Sequence, residues 1–535
     1  MPSAFDQLTI DQIALLLAGR SLPALGIALV APPLAPDEVG DNQRLFDGDH
    51  WADGRFWVGP APAPTDSGAA TVLAEIKRAL VSQNAVREVV NRHVAGVVGR
   101  EPDWGLTVAR PLRAGKTPTR AEQALIDEAE ALLVAWWDRR QVLKSIRQVA
   151  AALLIGQRAT LRLFVPPGLL DAQGRVPAGD LAQSLDKLHV EALTARQAVT
   201  IVHAATQQRA TVYGYADAAG RPCAELSYLD PATGQTVLRV VTAAESAATA
   251  LPLAGQLLAH EVARAALISP QVRQQQLQLN LAKTMQGRNV VQGGFLERVI
   301  LNAQMPGSWV DDATAPNGKR FVPDSAFQVG PGRTNFLVGT PIQGADGSIA
   351  GYTNPSVSYR DPVPVDTFAA TANDAYRAIL QEVQQLHALI SGDATASGES
   401  RKQARADFAT SLLATKAEID GLIRWLIETA LAAASLFAGQ AGRYAGLRAV
   451  ADCRLDTGPL SSLEQGEIVK QVDADLISRE TAMSRLGVED VDAEEQRIAR
   501  EKAARQATAV AIFGGAGATD PAPTPDPTTD PTGGA

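Results

Sequence analysis

The chain has 535 residues, 46% hydrophobic and 20% charged, so it is long enough for several domains and can bury large cores. A net charge of −9 excludes a basic protein that grips nucleic acid through massed phosphate contacts. Two distant cysteines, Cys223 and Cys453, fit free thiols in a reducing compartment better than a disulfide. Asp6 and Asp11 interrupt the opening 19 residues, which lack the basic start of a secretory leader. The most apolar long run, 421–439, carries Arg424 and Glu428 and reads as packed helix, so no membrane partner is expected.

Residues 1–67, after a short apolar start, are rich in proline, glycine and aspartate and predict a loop-rich arm. Phe46-Asp-Gly-Asp-His-Trp51 and Asp53-Gly-Arg-Phe-Trp57 predict turns with aromatic anchors. Over 70–99, Ile76, Leu80, Val86, Val90, Val94 and Val97 fall on one side of a helix, closed by Gly99, Pro102 and Gly105. Residues 119–156 predict a second helical region, with Thr119 as its cap after Pro118. A strand follows over 158–165, then a short helix over 180–188. Residues 211–215, 224–228 and 235–241 predict an antiparallel meander between turns at 219–220 and 231–234.

Residues 253–287 predict a helix with a boundary at Ser269-Pro270. From 290 to 366, glycine and proline punctuate short apolar pieces such as Asn335-Phe-Leu-Val-Gly339, predicting a compact β and loop module inserted between two helices. Ile379, Val383, Leu386 and Ile390 then make one helical seam. Eight small or polar residues, 391–398, follow it. Beyond them Phe408, Leu412, Thr415, Ile419, Leu422 and Leu426 step by 4, 3, 4, 3 and 4, which puts an apolar stripe along one very long helix over 399–437. At 1.5 Å per residue it would be on the order of 55–60 Å long. Its Ala430-Leu-Ala-Ala-Ala434 run permits close packing within a subunit or between subunits. Past 439 the chain is mixed, with a turn at Thr457-Gly-Pro459 and a helix from Ser478 to Gly487. Residues 514–535 have the composition of a disordered tail. The fold class expected is mainly α with β insertions, α+β.

Chemistry-bearing motifs fail on inspection. Arg113-Ala-Gly-Lys-Thr117 resembles the end of a phosphate-binding loop, but Arg110 stands where its first glycine belongs and Pro118 follows. Gly330-Pro-Gly332 lacks a third glycine and a following helix. The six histidines are scattered without metal-ligand spacing, and no G-x-S-x-G elbow occurs. The expectation is therefore a structural protein: no catalytic residues, no metal and no cofactor.

The order of parts resembles a tailed-bacteriophage portal protein. Four stretches carry the resemblance: Ile76-Lys-Arg-Ala-Leu80 through Arg100-Glu-Pro-Asp-Trp104; 280–294 ending in Gln292-Gly-Gly294; Ile390-Ser-Gly-Asp-Ala-Thr-Ala-Ser-Gly-Glu-Ser400; and Ile477-Ser-Arg-Glu-Thr-Ala482 to Gly487-Val-Glu-Asp490. The resemblance implies a multi-part subunit: an N-terminal arm at 1–67, a wing of helices and β meander at 68–252 and a stem helix at 253–289. A β and loop clip at 290–365, a second stem helix at 366–390 and a tunnel loop at 391–398 would follow. The long helix at 399–438, a crown-like helical region at 439–512 and a tail at 513–535 would complete it.

It further implies a ring of copies, usually a dodecamer, at one capsid vertex. Double-stranded DNA would pass through it without sequence specificity, and a terminase large subunit, a head–tail adaptor, and major capsid and scaffolding proteins would be its partners. The protein would be made in the host cytoplasm and reside in the virion. Ser391, Gly392, Asp393, Thr395, Ser397 and Gly398 would form the tunnel loop near DNA. Arg401, Lys402 and Arg405 would touch DNA or bridge subunits; they sit where a helix dipole disfavours cations. Another virion structural protein, an adaptor or a minor capsid protein, is the alternative, with a nuclease or terminase subunit behind it.

Overall fold

The computed structural model describes residues 3–31, 34–50, 74, 77–78, 80–109, 117–171, 176–253, 255–294, 297–304, 307–314, 318–323, 338–345, 349–360, 364–390, 398–457, 462–486, 488 and 491–513. The chain is a mixed α+β protein of two compact units, Met1–Thr457 and Gly458–Ala535.

The first unit opens with α1 (Ile10–Leu17), whose Thr9 and Gln12 form a reciprocal capping box. Strand β1 (Ile27–Leu29), helix α2 (Pro36–Asp47), helix α3 (Ala85–Val98), strand β2 (Asp103–Val108) and helices α4 (Arg120–Arg139) and α5 (Val142–Gly156) follow. Thr119 caps α4 through a box with Glu122. The helical region over 119–156 is two helices, because Gln141 adopts a left-handed φ of 50° between them.

Next come β3 (Arg158–Phe164), α6 (Leu181–Asp186), β4 (His189–Thr194), β5 (Ala198–His203), β6 (Arg209–Ala216), β7 (Pro222–Leu229), β8 (Thr236–Thr242), β9 (Ser246–Leu251) and β10 (Ala259–Ala263). The expected three-strand meander is part of a six-stranded antiparallel sheet ordered β1-β5-β6-β7-β8-β9. The N-terminal residues belong to it as well: β1 is an edge strand, and Phe5, Leu8, Ile13 and Leu16 bury against Ile201, Val212 and Leu226. A second sheet, β10-β3-β4, lies beside it.

Arg162 of β3 ties the two sheets. Its Nε and Nη2 donate to Glu225 of β7 at 3.1 and 2.5 Å, and Nη1 donates to Glu191 of β4 at 3.1 Å. Its guanidinium carbon lies 4.3 Å from both the Phe164 and Tyr213 ring centroids. A lysine cannot fork across a carboxylate or stack as a plane. Arg162→Lys is expected to cost about 2–3 kcal/mol in urea unfolding. Arg221→Ala, which breaks an exposed pair with Asp217, is expected to leave the urea midpoint almost unchanged.

The expected helix over 253–287 begins only at Pro270, as α7 (Pro270–Gly294), with Ser269 Oγ accepting from Val272 N at 3.2 Å. The residues ahead of it are drawn into β10, which pairs with β3 from Ala259↔Arg162 to Ala263↔Arg158. Pairing with a neighbouring strand overrides local helix preference there. One face of α7 is a polar ladder of Gln276, Asn280 and Thr284, all buried. They accept from the backbone N–H groups of Val86, Gln83 and Val81 at 3.1–3.2 Å, and Gln276 returns a bond to Gln83 O at 2.7 Å.

After α7 come short strands: β11 (Glu297–Leu301), β12 (Ala303–Gln304), β13 (Gly307–Asp311), β14 (Lys319–Pro323), β15 (Val338–Gly339), β16 (Pro341–Gln343), β17 (Ile349–Tyr352) and β18 (Ser356–Arg360). They form four two-stranded ladders, and β11 pairs antiparallel with β18 from Glu297↔Arg360 to Leu301↔Ser356. That ladder joins α7 to α8 (Val365–Glu382), which packs along α7, and both helices bury apolar residues in a core shared with α3 and α5.

The single helix expected over 366–390 breaks. Gln384 takes a φ of 57°, and α9 (His387–Ile390) is a separate turn. The break lets Gln385 turn inward: it is fully buried, donates to Val89 O at 2.8 Å and accepts from Arg92 Nη1 at 3.0 Å.

Helix α10 (Gly398–Phe437) is continuous for 40 residues. Its stripe residues Phe408, Leu412, Thr415, Ile419, Leu422 and Leu426 are all 0–1% exposed, and the apolar ones share one core with Trp136, Ile146 and Leu153. Ala430, Ala433 and Ala434 are buried within the chain as well. Strand β19 (Leu447–Asp452) pairs with β2 and packs on α10, so part of the region expected as a crown belongs to the first unit.

The second unit has α11 (Ser462–Asp473), α12 (Arg479–Leu486) and α13 (Val491–Phe513). Ser478 caps α12 as expected, accepting from Thr481 N at 3.1 Å. Ile468, Ala482 and Met483 are its buried apolar residues among those described. The tail over 514–535 lies outside the described residues.

Candidate functional site

The region singled out by sequence is the approach to α10. Five of its named residues, Ser391, Gly392, Asp393, Thr395 and Ser397, lie outside the described residues. Gly398 is the first residue of α10. Arg401, Lys402 and Arg405 follow within its first two turns. All three are half-buried, and each already interacts with other groups of the chain.

What the structure adds is how this end of α10 is held. Gly96, near the C-terminal end of α3, lies against it; a Cβ there would sit 2.7 Å from Leu412 Cδ1 and 3.2 Å from the Phe408 ring. Even alanine there must displace the Leu412 side chain. Phe408 lies between two histidines. His387 of α9 stacks on it at 4.3 Å and 27°, and His93 of α3 meets it edge-on at 6.3 Å and 83°. His93 Nε2 is 2.9 Å from Thr415 Oγ1 and 3.1 Å from Arg264 Nη1, and Arg264 also donates to Thr415. Because Arg264 can only donate, Nε2 accepts and the proton sits on Nδ1.

Burial, with the Arg264 charge beside it, pushes His93 down to about 3. Burial and the charges of Arg92 and Arg405 hold His387 at about 4. Both rings are therefore neutral at pH 7. An open cleft of about 720 Å³ lies between the end of α8, α9 and the first turns of α10, lined by Gln381, Gln384, Leu386, Ile390, Glu399 and Asp407 among others. Its charged lining residues are acidic.

Sequence reasoning missed His93, Arg264 and Gln385, which arrive from distant segments. Two signals point to this cluster: Thr415, a polar residue inside an apolar stripe, and Gly96, a glycine inside a helical pattern.

A second buried polar centre lies between the sheets. Glu261 of β10 accepts from Thr200 N at 2.8 Å, and burial raises it to about 7. Arg158 of β3 donates to Ala195 O at 3.0 Å and is lowered by burial. Both cysteines are free and buried. Burial and the Asp420 carboxylate push Cys453 far up.

Among the described residues, no group of three or more His, Cys, Asp or Glu is arranged to hold a metal ion, and no helix is long and apolar enough to cross a membrane. No protein-family model matches the sequence, and no curated protein matches it.

Proposed function

We propose that the chain is a portal subunit: copies stand in a ring, and double-stranded DNA moves through the axis during packaging and ejection. The observation that carries this reading is the arrangement of α7 to α10. Two packed helices are joined by a module of small β ladders, and a continuous 40-residue helix follows after a short connecting segment. This is the order of stem, clip, tunnel loop and long helix that the sequence resemblance implies.

The charge distribution supports the same reading. A conduit for a polyanion must avoid many phosphate contacts, because each releases counterions and adds affinity. The chain is acidic overall, the cleft beside α10 carries Glu399 and Asp407, and the three cations at the start of α10 are engaged within the chain. On this reading Arg401, Lys402 and Arg405 organise protein contacts more than they grip DNA. Partners would be neighbouring copies, the terminase, an adaptor and the surrounding capsid. The length of α10 also weighs against a small head–tail adaptor.

Negative-stain imaging of the purified full chain tests the proposal. Rings with a central hole are expected, and a monodisperse monomer at micromolar concentration would overturn it.

A further inference from the structure

Arg158 of β3 is poorly matched by the residues around it. It is 3% exposed, yet its one hydrogen bond runs from Nη2 to the Ala195 carbonyl at 3.0 Å. Nε and Nη1 are buried with no partner. A guanidinium carries five donors and keeps its charge, so leaving most of them unmet in the interior is costly. Among the described residues Arg158 forms no ion pair. Glu261 acts on it through space, but Glu261 Oε2 is engaged by Thr200 N at 2.8 Å.

Arg158 lines a small cavity. The other walls are the end of α1 at Leu17, Val39 of α2, Gly156 at the end of α5, and Ala195 and Arg196 between β4 and β5. The cavity measures about 20 Å³. That is room for one body the size of a water molecule, which needs at least about 10–15 Å³, and not for a polyatomic ion.

The charged side chains in the wall are both cationic, Arg158 and Arg196, and no carboxylate lines it. Two helix ends also face the cavity, and their dipoles favour cations. Each amounts to about half a charge. Their last carbonyls are already bonded: Leu15 and Leu16 of α1 accept from Arg20 N and Gly19 N, and Leu154 and Ile155 of α5 accept from Leu267 N and Asn42 Nδ2. Two whole guanidinium charges outweigh them.

We propose that this cavity is a site for one monoatomic anion of chloride size, held by the Arg158 guanidinium with Arg196 beside it. The anion accepts hydrogen bonds from a group that the protein leaves under-bonded and offsets its buried charge. It also ties the ends of α1 and α5 to the turn between β4 and β5. The site lies within the first unit and does not depend on the ring reading.

The test is thermal unfolding of the full chain at constant ionic strength, with sodium gluconate exchanged stepwise for sodium chloride. Gluconate is too large for the cavity. The melting temperature is expected to rise with chloride and to saturate, because a ligand bound by the folded state alone stabilises it by mass action. Arg158→Gln is expected to lose that dependence. Gly156→Ala is the milder variant: its Cβ would meet Ala195 Cβ at 3.4 Å and Val39 Cγ1 at 3.7 Å, ordinary contacts that narrow the cavity and keep the fold. It is expected to raise the half-saturating chloride concentration. Crystals grown in sodium bromide are expected to show an anomalous-scattering peak beside Arg158.

A melting temperature indifferent to chloride would overturn the proposal. So would a saturating dependence that is unchanged in both variants, or a water only beside Arg158 in the bromide crystals. None of these readouts involves ring formation, so the ring reading stands or falls separately.

Discussion

Acidification from pH 7 to pH 5 is expected to strip a few kcal/mol of stability from this protein, on the order of one to two protons being taken up on unfolding. His93, His260 and His387 are held below the ordinary histidine value of 6.5, at about 3, about 4 and about 4, chiefly because burial disfavours the charged ring. His260 lies against Trp425, with ring centroids 5.4 Å apart. In the unfolded chain these rings take up a proton near pH 6.5. Their stabilisation is therefore complete above that value and is withdrawn as the pH falls toward the folded values.

Glu261 works the other way. It is raised from 4.5 to about 7, so its contribution is complete below pH 4.5 and is lost as the pH rises through 7. Between about pH 6 and 5, these three histidines favour the unfolded state, the half-buried His189 adds to them in the same direction, and one carboxyl opposes them. His387 is only half-buried, so solvent screening discounts its share. The net is roughly one to two protons, or about 1.4–2.7 kcal/mol per pH unit. A fold at the lower end of the typical margin of about 5–15 kcal/mol does not survive far below pH 5.

Urea titrations at pH 7.5, 6 and 5 read this directly. His93→Gln keeps an acceptor for Arg264 and removes the titrating ring, so the slope should fall by about one proton. Stability that is flat or rises on acidification would contradict the assignment of three neutral rings.

Interrupting α10 should be costlier at pH 7 than any single surface change. Thr415 is fully buried near the middle of the stripe and is bonded to His93 and Arg264. Proline at 415 removes a helix hydrogen bond and clashes with the preceding turn, at about 3 kcal/mol or more. It also deletes the hydroxyl that His93 and Arg264 share, at about 1–3 kcal/mol. Thr415→Pro is thus expected to lose roughly 4–6 kcal/mol, enough to abolish a cooperative unfolding transition in a marginal fold. Thr415→Val, which deletes only the hydroxyl, should lose about 1–3 kcal/mol and keep the transition sharp. Equal losses in the two variants would mean that the helix is not continuous through this point.

The parts of the fold visible in the sequence are those whose periodicity is carried by their own residues. Helix α10 is the clearest: its stripe is large, mostly apolar and regular, and every member is buried. Helix starts at Thr119, Asp180, Ser269 and Ser478 are equally legible, because the capping side chain and the N–H that it accepts from lie three residues apart.

What escaped depends on partners far along the chain. Strand β10 is Ala-His-Glu-Val-Ala, which becomes a strand only beside β3. Strand β9, Ser-Ala-Ala-Thr-Ala-Leu, has the composition of a helix or loop and is held by β8. The turn at Gln384 exists because Gln385 finds a carbonyl 296 residues earlier in the chain. The candidate residues fared similarly. A small-residue loop and a basic trio can be named from sequence, but whether Arg401, Lys402 and Arg405 face a channel or their own chain depends on the surrounding helices.

The ladder of Gln276, Asn280 and Thr284 carries a consequence for how the sequence can drift. Those side chains recognise main-chain N–H and C=O groups of 81–86, not the side chains found there. The side chains of Val81, Ser82 and Gln83, which are exposed, are thus released from the docking, whereas Ala85 and Val86 stay bound by the core and Asn84 by its cap on α3. Proline at 81, 83 or 86 is the exception, since it would withdraw one of the donors being read. Other substitutions at 81–83 therefore leave the seam intact, while those at Gln276, Asn280 or Thr284 remove a partner that a backbone group is bonded to.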